Sequence, residues 1–110
     1  MKKTQANTAQ VHQLLYQALE TELGGVKVYE TALRCALNED LRKEWSEYLE
    51  QTRHHVQVVL DVFAKIGLDP EAQTPGRKVV AHIGESLVEA IEMARAAGDE
   101  VAAELVAGEC

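Results

Sequence analysis

A carboxylate and two imidazoles stand where two helical segments could bring them together. Glu22 lies on the apolar line of the first segment, seven residues after Leu15 and seven before Tyr29. His54 and His55 are adjacent in the second segment. Carboxylates and imidazoles are metal ligands, and helical bundles build metal sites from such side chains on facing helices. The residue types therefore indicate a metal site as the first chemistry to consider.

These groups reach the same level only if the two segments form an antiparallel hairpin. The polar break Asn38-Glu39-Asp40 provides a turn centred near Glu39. Residues equally far from the centre of such a turn lie opposite one another. Glu22 is seventeen positions before Glu39, and Val56 is seventeen positions after it. The spacing thus predicts that Glu22 faces the chain next to His55.

The spacing of apolar residues predicts an all-α fold: an antiparallel helical bundle with three long helices and a short or incomplete fourth. The expected helices cover about 8–37, 41–66, 78–96 and 100–108, within a single domain of residues 1–110. The connection after the second helix contains both prolines. Fully extended, its eleven or so residues reach roughly 36 Å, so it is long enough to cross the bundle but need not do so.

Three full helices and a short fourth leave an apolar groove where a complete fourth helix would lie. An exposed groove of this kind is an association site or an aggregation hazard. Either the chain is a fragment of a longer protein, or a partner chain closes the bundle. We expect a fragment, with pairing of two copies as the consequence, so the expected partner is the chain itself.

Composition restricts the partners and the compartment. The formal net charge is −7, which argues against nucleic acid or an anionic membrane as partner. No apolar run approaches the roughly 18 residues of a membrane span, and because no apolar h-region follows the lysines at the start, we expect no secretory signal. Cys35 and Cys110, the only cysteines, match no zinc spacing and are expected to be reduced thiols of a cytoplasmic protein. Cys35 is expected on the surface or the flank of its helix.

Two stretches carry a resemblance to a known family. Glu22 followed seven residues later by Tyr29, and the stretch KIGLDP at 65–70, resemble the ferritin-like superfamily, the four-helix bundles that include bacterioferritins and rubrerythrins. The resemblance covers about residues 10–107 and implies a C-terminally truncated member. It implies a bridged pair of iron or manganese ions, used for oxidation or for iron storage.

The second helix departs from that family's pattern. The family carries Glu-x-x-His there, whereas Thr52 is three residues before His55 and Glu50 is four residues before His54. At about 100° per residue, Glu50 and His54 share a face directed away from the apolar side of the helix. The candidate metal ligands are accordingly Glu22, His55, His54 and Glu50, with Tyr29 beside them.

These residues are compatible with two functions. One is a ferritin-like, iron-type metal protein with an incomplete di-metal site and a possible iron-handling or oxidase role. The other is a metal-free helical module for structure or interaction, acting as a homo-oligomer, in which Glu22 is a buried polar residue that sets the helix register. Gly24 and Gly25, which weaken the helix, are explained by a wide turn or a close helix approach, or alternatively by a local kink.

Overall fold

Helices are the only regular secondary structure in the residues that the structure describes. A computed structural model describes the backbone of residues 2–98 and 100–109 and the side chains of residues 8–98 and 100–108. Its helices are α1 (Lys2–Cys35), α2 (Glu39–Ile66), α3 (Pro75–Ala96) and α4 (Glu100–Glu109). The predicted all-α class is confirmed for these residues, although α1 begins earlier than expected. None of their helices is long and apolar enough to cross a membrane.

Local signals in the sequence account for the ends of α2 and for the start of α3. The Asn38 side chain accepts hydrogen bonds from the backbone N–H groups of Asp40 and Leu41 and begins α2. Gly67, with φ 74°, ends α2 in the left-handed conformation that favours glycine. Thr74 accepts a hydrogen bond from the N–H of Arg77 and starts α3.

Helix α1 is the central helix, with α2 and α3 on different sides of it. Helix α2 runs antiparallel to α1, so that Tyr29 lies beside Tyr48 and Tyr16 beside Phe63. Helix α3 runs parallel to α1, and α4 packs against both α1 and α3. Within residues 2–98 and 100–109, α2 and α3 do not contact one another. The helices therefore form an open arrangement, not a closed four-helix bundle.

The connection between α2 and α3 stays at one end of the molecule. The Tyr16 hydroxyl donates a hydrogen bond of 2.9 Å to the carbonyl of Asp69. The Arg77 side chain donates to the Glu20 carboxylate at 2.8 Å and to the carbonyls of Pro70 and Ala72. Because these contacts hold residues 69–77 against the first half of α1, the connection does not cross the length of the bundle. This explains why α3 runs parallel to α1.

The core consists of two clusters of buried side chains along α1. Tyr16, Leu19 and Phe63 form the cluster near the α2–α3 connection. The other cluster lies where α3, α4 and Trp45 of α2 pack against the C-terminal half of α1, and it includes Cys35, which is 5% exposed. The expectation of a surface or flank position for Cys35 was wrong. Helix α4 and the end of α3 cover a side of α1 that the spacing of apolar residues in α1 does not predict to be buried.

The two adjacent glycines of α1 each allow one neighbouring helix to approach closely. A Cβ on Gly24 would lie 3.9 Å from the Cα of Gly84 in α3. A Cβ on Gly25 would lie 3.2 Å from Thr52 Cγ2 in α2. Close helix approach, one of the explanations offered for this pair, is therefore what the structure contains. Both neighbours of α1 cross it next to Glu22.

Candidate functional site

Glu22 and His55 are brought together by the α1–α2 hairpin. Glu22 Oε2 lies 3.5 Å from His55 Nδ1. The contacts of Gly25 with Thr52 and of Tyr29 with Tyr48 follow the same register. Counting from Glu39 placed Val56 opposite Glu22, so the observed register differs from the expected one by one residue. The level of the carboxylate and the imidazole in the hairpin follows from the sequence alone.

The Glu22–His55 pair is accessible on one side. The side chain of Glu22 is 28% exposed and that of His55 is 57% exposed. Their 3.5 Å separation exceeds the 2.7–3.2 Å or so of an ordinary N–H···O hydrogen bond. The carboxylate and the imidazole therefore point towards one another without direct hydrogen bonding, and both keep lone pairs available for a third atom.

The other two candidate ligands lie elsewhere on α2. Glu50 is 3.5 Å from Arg53, one turn away on the same helix, and its side chain is 78% exposed. His54 is exposed, because a 100° rotation per residue turns it away from the direction of His55. Among the side chains that the structure describes, no group of three or more His, Cys, Asp or Glu residues could hold a metal ion. One chain thus contributes two candidate ligands, Glu22 and His55.

Two tyrosines border the pair on the side of the α1–α2 turn. The rings of Tyr29 and Tyr48 have centroids 5.8 Å apart. The Tyr48 hydroxyl donates a hydrogen bond of 2.5 Å to Glu44 Oε1, and this bond raises the pKa of Tyr48. Tyr29 is two helical turns from Glu22 and partly buried. The tyrosines therefore form an aromatic border to the Glu22–His55 pair.

The pair lies in a surface that no helix of residues 2–98 and 100–109 covers. Between α1 and α3, a cleft of about 350 Å³ is lined by Thr21, Gly25, Tyr29, Ile83 and Leu87. On α2, apolar residues follow His55 at the spacing of one helix face. The term open face denotes this surface, made of Val11, Glu22 and Tyr29 of α1, Tyr48, His55, Val58, Val62 and Ile66 of α2, and Val79, Ile83 and Leu87 of α3.

The open face presents exposed apolar side chains around the Glu22–His55 pair. Large side chains on it are strongly exposed, including Val58 at 46%, Ile83 at 54% and Val79 at 60%. Glu22 and His55 contribute a carboxylate and an imidazole near the middle of its length. The apolar stripe of α2 on this face, at Val58 and Val62, was missed in the sequence. Its signal is the seven-residue step from Tyr48 to His55 to Val62.

Comparison of the chain with family models, with curated proteins and with solved structures found no match.

Proposed function

We propose that this chain is a helical self-association module whose open face pairs with the open face of a second copy. The observation that carries the proposal is the exposure of large apolar side chains on α1, α2 and α3 around one surface. Exposed apolar surface is costly in water, and a contiguous patch of it marks an interaction site. A second copy would remove this surface from water on both chains at once.

The size of the open face supports a stable pair. The stripe from Tyr48 to Ile66 is about 27 Å long at 1.5 Å per residue. Helices pack about 8–10 Å apart, so α2 and α3 on either side of α1 make the face roughly 18 Å wide. The projection is then roughly 500 Å², and the accessible area is larger because side chains stand out from it. A standard interface buries about 800 Å² per partner, so the two areas are comparable.

The chemistry of the open face supports a second copy as the occupant. In a two-fold interface the same patch contacts itself, so it has to tolerate its own charges. Here an acid is accompanied by a base, because Glu22 lies beside His55. A net charge of −7 disfavours nucleic acid and anionic membranes instead. The seven-residue spacing of Tyr48, His55 and Val62 also suits helix-to-helix packing between chains.

Sedimentation velocity of the full chain across a concentration series tests the proposal. The wild-type chain should sediment as a dimer, and Val62→Asp should sediment as a monomer because a carboxylate would be buried in the interface. Ala64→Asp is the matched control: it places the same charge two residues away, at an exposed position on the opposite side of α2. Circular dichroism confirms that both variants fold. A monomeric wild type, or equal dimerisation of the two variants, would overturn the proposal.

A ferritin-like metal protein is the second candidate, and the contact of Glu22 with His55 favours it. Di-metal carboxylate bundles use a glutamate from each of two helices and Glu-x-x-His from each of the other two. The described residues do not fit that set, since Glu22 and His55 supply one carboxylate and one imidazole. Ferritin-like folds also have a long crossover connection, whereas residues 67–74 stay at one end. Two iron or manganese ions per chain after desalting would favour this candidate.

We assign the protein to the cytoplasm. Cys35 is a free thiol in the structure and is buried among apolar side chains. Free buried thiols are stable in reducing compartments, where disulfides are rare. Fractionation of cells that express the full chain tests this assignment, because recovery of the protein outside the cytoplasmic fraction would contradict it.

A further inference from the structure

The position of Glu22 and His55 within the open face determines where they lie in a pair of chains. His55 is near the middle of the stripe from Tyr48 to Ile66, and Glu22 lies between Val11 and Tyr29, the ends of the open face on α1. To bury most of a patch against itself, a two-fold axis has to pass near the centre of that patch. The axis of the proposed pair therefore passes close to Glu22 and His55, and their counterparts in the second copy lie around the same axis.

The distance between the two side chains matches that of two ligands on one metal ion. Tetrahedral zinc has bonds of about 2.0–2.1 Å to nitrogen and oxygen, which places neighbouring ligand atoms about 3.3 Å apart. Glu22 Oε2 and His55 Nδ1 are 3.5 Å apart, with no direct hydrogen bond between them. The pair is thus spaced as one edge of such a tetrahedron. A second pair would supply the opposite edge.

The geometry points to a metal site shared by two copies: one divalent transition-metal ion on the two-fold axis, bound by Glu22 and His55 of each chain. This inference rests on the proposed pairing through the open face. Two imidazoles and two carboxylates suit zinc and its neighbours in the first transition row. Two carboxylates also balance the charge of a divalent ion, so the buried centre of the interface would be neutral.

This site differs from a di-metal centre in its stoichiometry and its ligands. It holds about one ion per two chains, not two ions per chain. It excludes His54 and Glu50, which lie on other faces of α2. It also explains why no group of three ligands occurs among the described residues of one chain, because half of the site belongs to the second copy.

Zinc titration of the full chain, followed by isothermal calorimetry and metal analysis after dialysis, tests the site. We expect about one zinc ion per two chains, with binding weakened at least tenfold in Glu22→Gln and in His55→Gln. His54→Gln is the matched control for His55→Gln on the same helix, and Glu50→Gln is the matched control for Glu22→Gln on the neighbouring helix. Both controls should bind zinc as the wild type does. Cobalt(II) in place of zinc should give the intense visible absorption of a tetrahedral ion.

Sedimentation with and without a chelator separates this inference from the proposed pairing. A dimer that binds no zinc, or that binds one ion per chain, would overturn the shared site and leave the pairing intact. Zinc binding that survives in both Glu22→Gln and His55→Gln would also overturn the site. A chain that stays monomeric in zinc and in chelator would overturn both. A dimer with one ion per two chains, lost in the two ligand variants alone, would establish both.

Discussion

Gly25 of α1 lies against Thr52 of α2 so closely that a Cβ on the glycine would be 3.2 Å from Thr52 Cγ2. The threonine methyl cannot rotate away freely, because the Thr52 hydroxyl donates a hydrogen bond of 2.7 Å to the carbonyl of Tyr48. The neighbouring Gly24 has more space, with 3.9 Å from its would-be Cβ to Gly84 Cα. The two adjacent glycines therefore lie at two different helix contacts, and the contact at Gly24 has more room for a Cβ than the contact at Gly25.

Alanine substitutions should separate these two contacts. Gly24→Ala should raise the free energy of unfolding by about 0.5–1 kcal/mol, the gain in helix propensity over glycine. The free energy of unfolding of Gly25→Ala should be about 1–2 kcal/mol lower than that of Gly24→Ala, because overpacking against Thr52 offsets the same gain in helix propensity. Urea denaturation provides the comparison.

Thr52→Ser supplies the control for the Gly25 contact, since it removes Cγ2 and keeps the hydroxyl that bonds to Tyr48. In the double variant Gly25→Ala/Thr52→Ser, the helix-propensity gain should reappear. If Gly25→Ala is as stabilising as Gly24→Ala in the wild-type background, the steric account of this contact is wrong.

Substitution of Arg77 should lower the stability of the fold more than substitution of any other charged residue. Its side chain is 6% exposed and donates to the Glu20 carboxylate at 2.8 Å, as well as to two carbonyls of the α2–α3 connection. Arg77→Met should lower the free energy of unfolding by about 3 kcal/mol, because it leaves the Glu20 carboxylate and the carbonyls without their donor. Arg77→Lys should recover only part of this, since an ammonium group lacks the planar arrangement of donors.

Arg53 is the matched control for Arg77, with a side chain 51% exposed and 3.7 Å from Glu30. Arg53→Met should cost less than about 1 kcal/mol, as exposed ion pairs do. Thermal and urea unfolding of both variants provide the measurement. If Arg77→Met and Arg53→Met lose the same free energy of unfolding, burial of the Arg77–Glu20 ion pair does not determine how much it stabilises the fold.

Glu104 should control how firmly α4 is attached to the α1–α2 turn. Its Oε2 accepts hydrogen bonds from the backbone N–H groups of Leu37 and Asn38, at the N-terminal end of α2. A carboxylate there is favoured by its charged hydrogen bonds and by the helix dipole. Glu104→Gln should therefore cost about 1 kcal/mol and speed amide hydrogen exchange at Leu37 and Asn38. Glu100→Gln, in the same helix but exposed, should leave that exchange unchanged; an equal effect would count against the contact.

Cys35 should make stability fall at alkaline pH. Burial raises the pKa of its thiol, and Arg95 and Arg34 offset this only in part. In the unfolded chain the thiol ionises near its ordinary pKa of about 8.5. Above that pH the folded state binds more protons than the unfolded state, so the free energy of unfolding decreases as pH rises through the folded pKa. Below about 8.5 the contribution is fully present.

Urea unfolding of the wild type and of Cys35→Ala between neutral pH and pH of about 10, with reductant present, provides the measurement. The wild type should lose more stability over the alkaline range than Cys35→Ala does. Parallel pH curves for the two proteins would contradict a raised pKa for this thiol.

The hairpin was the most predictable part of the fold. A polar turn at Asn38 and regular apolar spacing on both sides place Glu22 within one residue of its observed level. Such periodicity depends only on helix geometry, so it can be obtained from one sequence. The contact with His55 follows from the same register, and so does the aromatic pair Tyr29–Tyr48.

Long-range packing could not be obtained in this way. The parallel direction of α3 depends on the hydrogen bonds of Arg77 to Glu20 and to the connection, and these contacts have no periodic signal. The burial of Cys35 depends on where α4 and α3 pack. The exposure of Ile83 arises because α2 and α3 do not meet. Each of these features involves the relative position of elements distant in sequence.

The order in which the chain acquires its structure follows from the central place of α1. Among the helices of residues 2–98 and 100–109, α2 packs against α1 alone, and the contacts of this hairpin begin at the short turn around Asn38. Contacts between residues close in sequence form with little loss of loop entropy. We therefore expect α1 and α2 to pair from their turn outward during synthesis, before α3 has left the ribosome. The hydrogen bonds of Arg77 then hold α3 against α1.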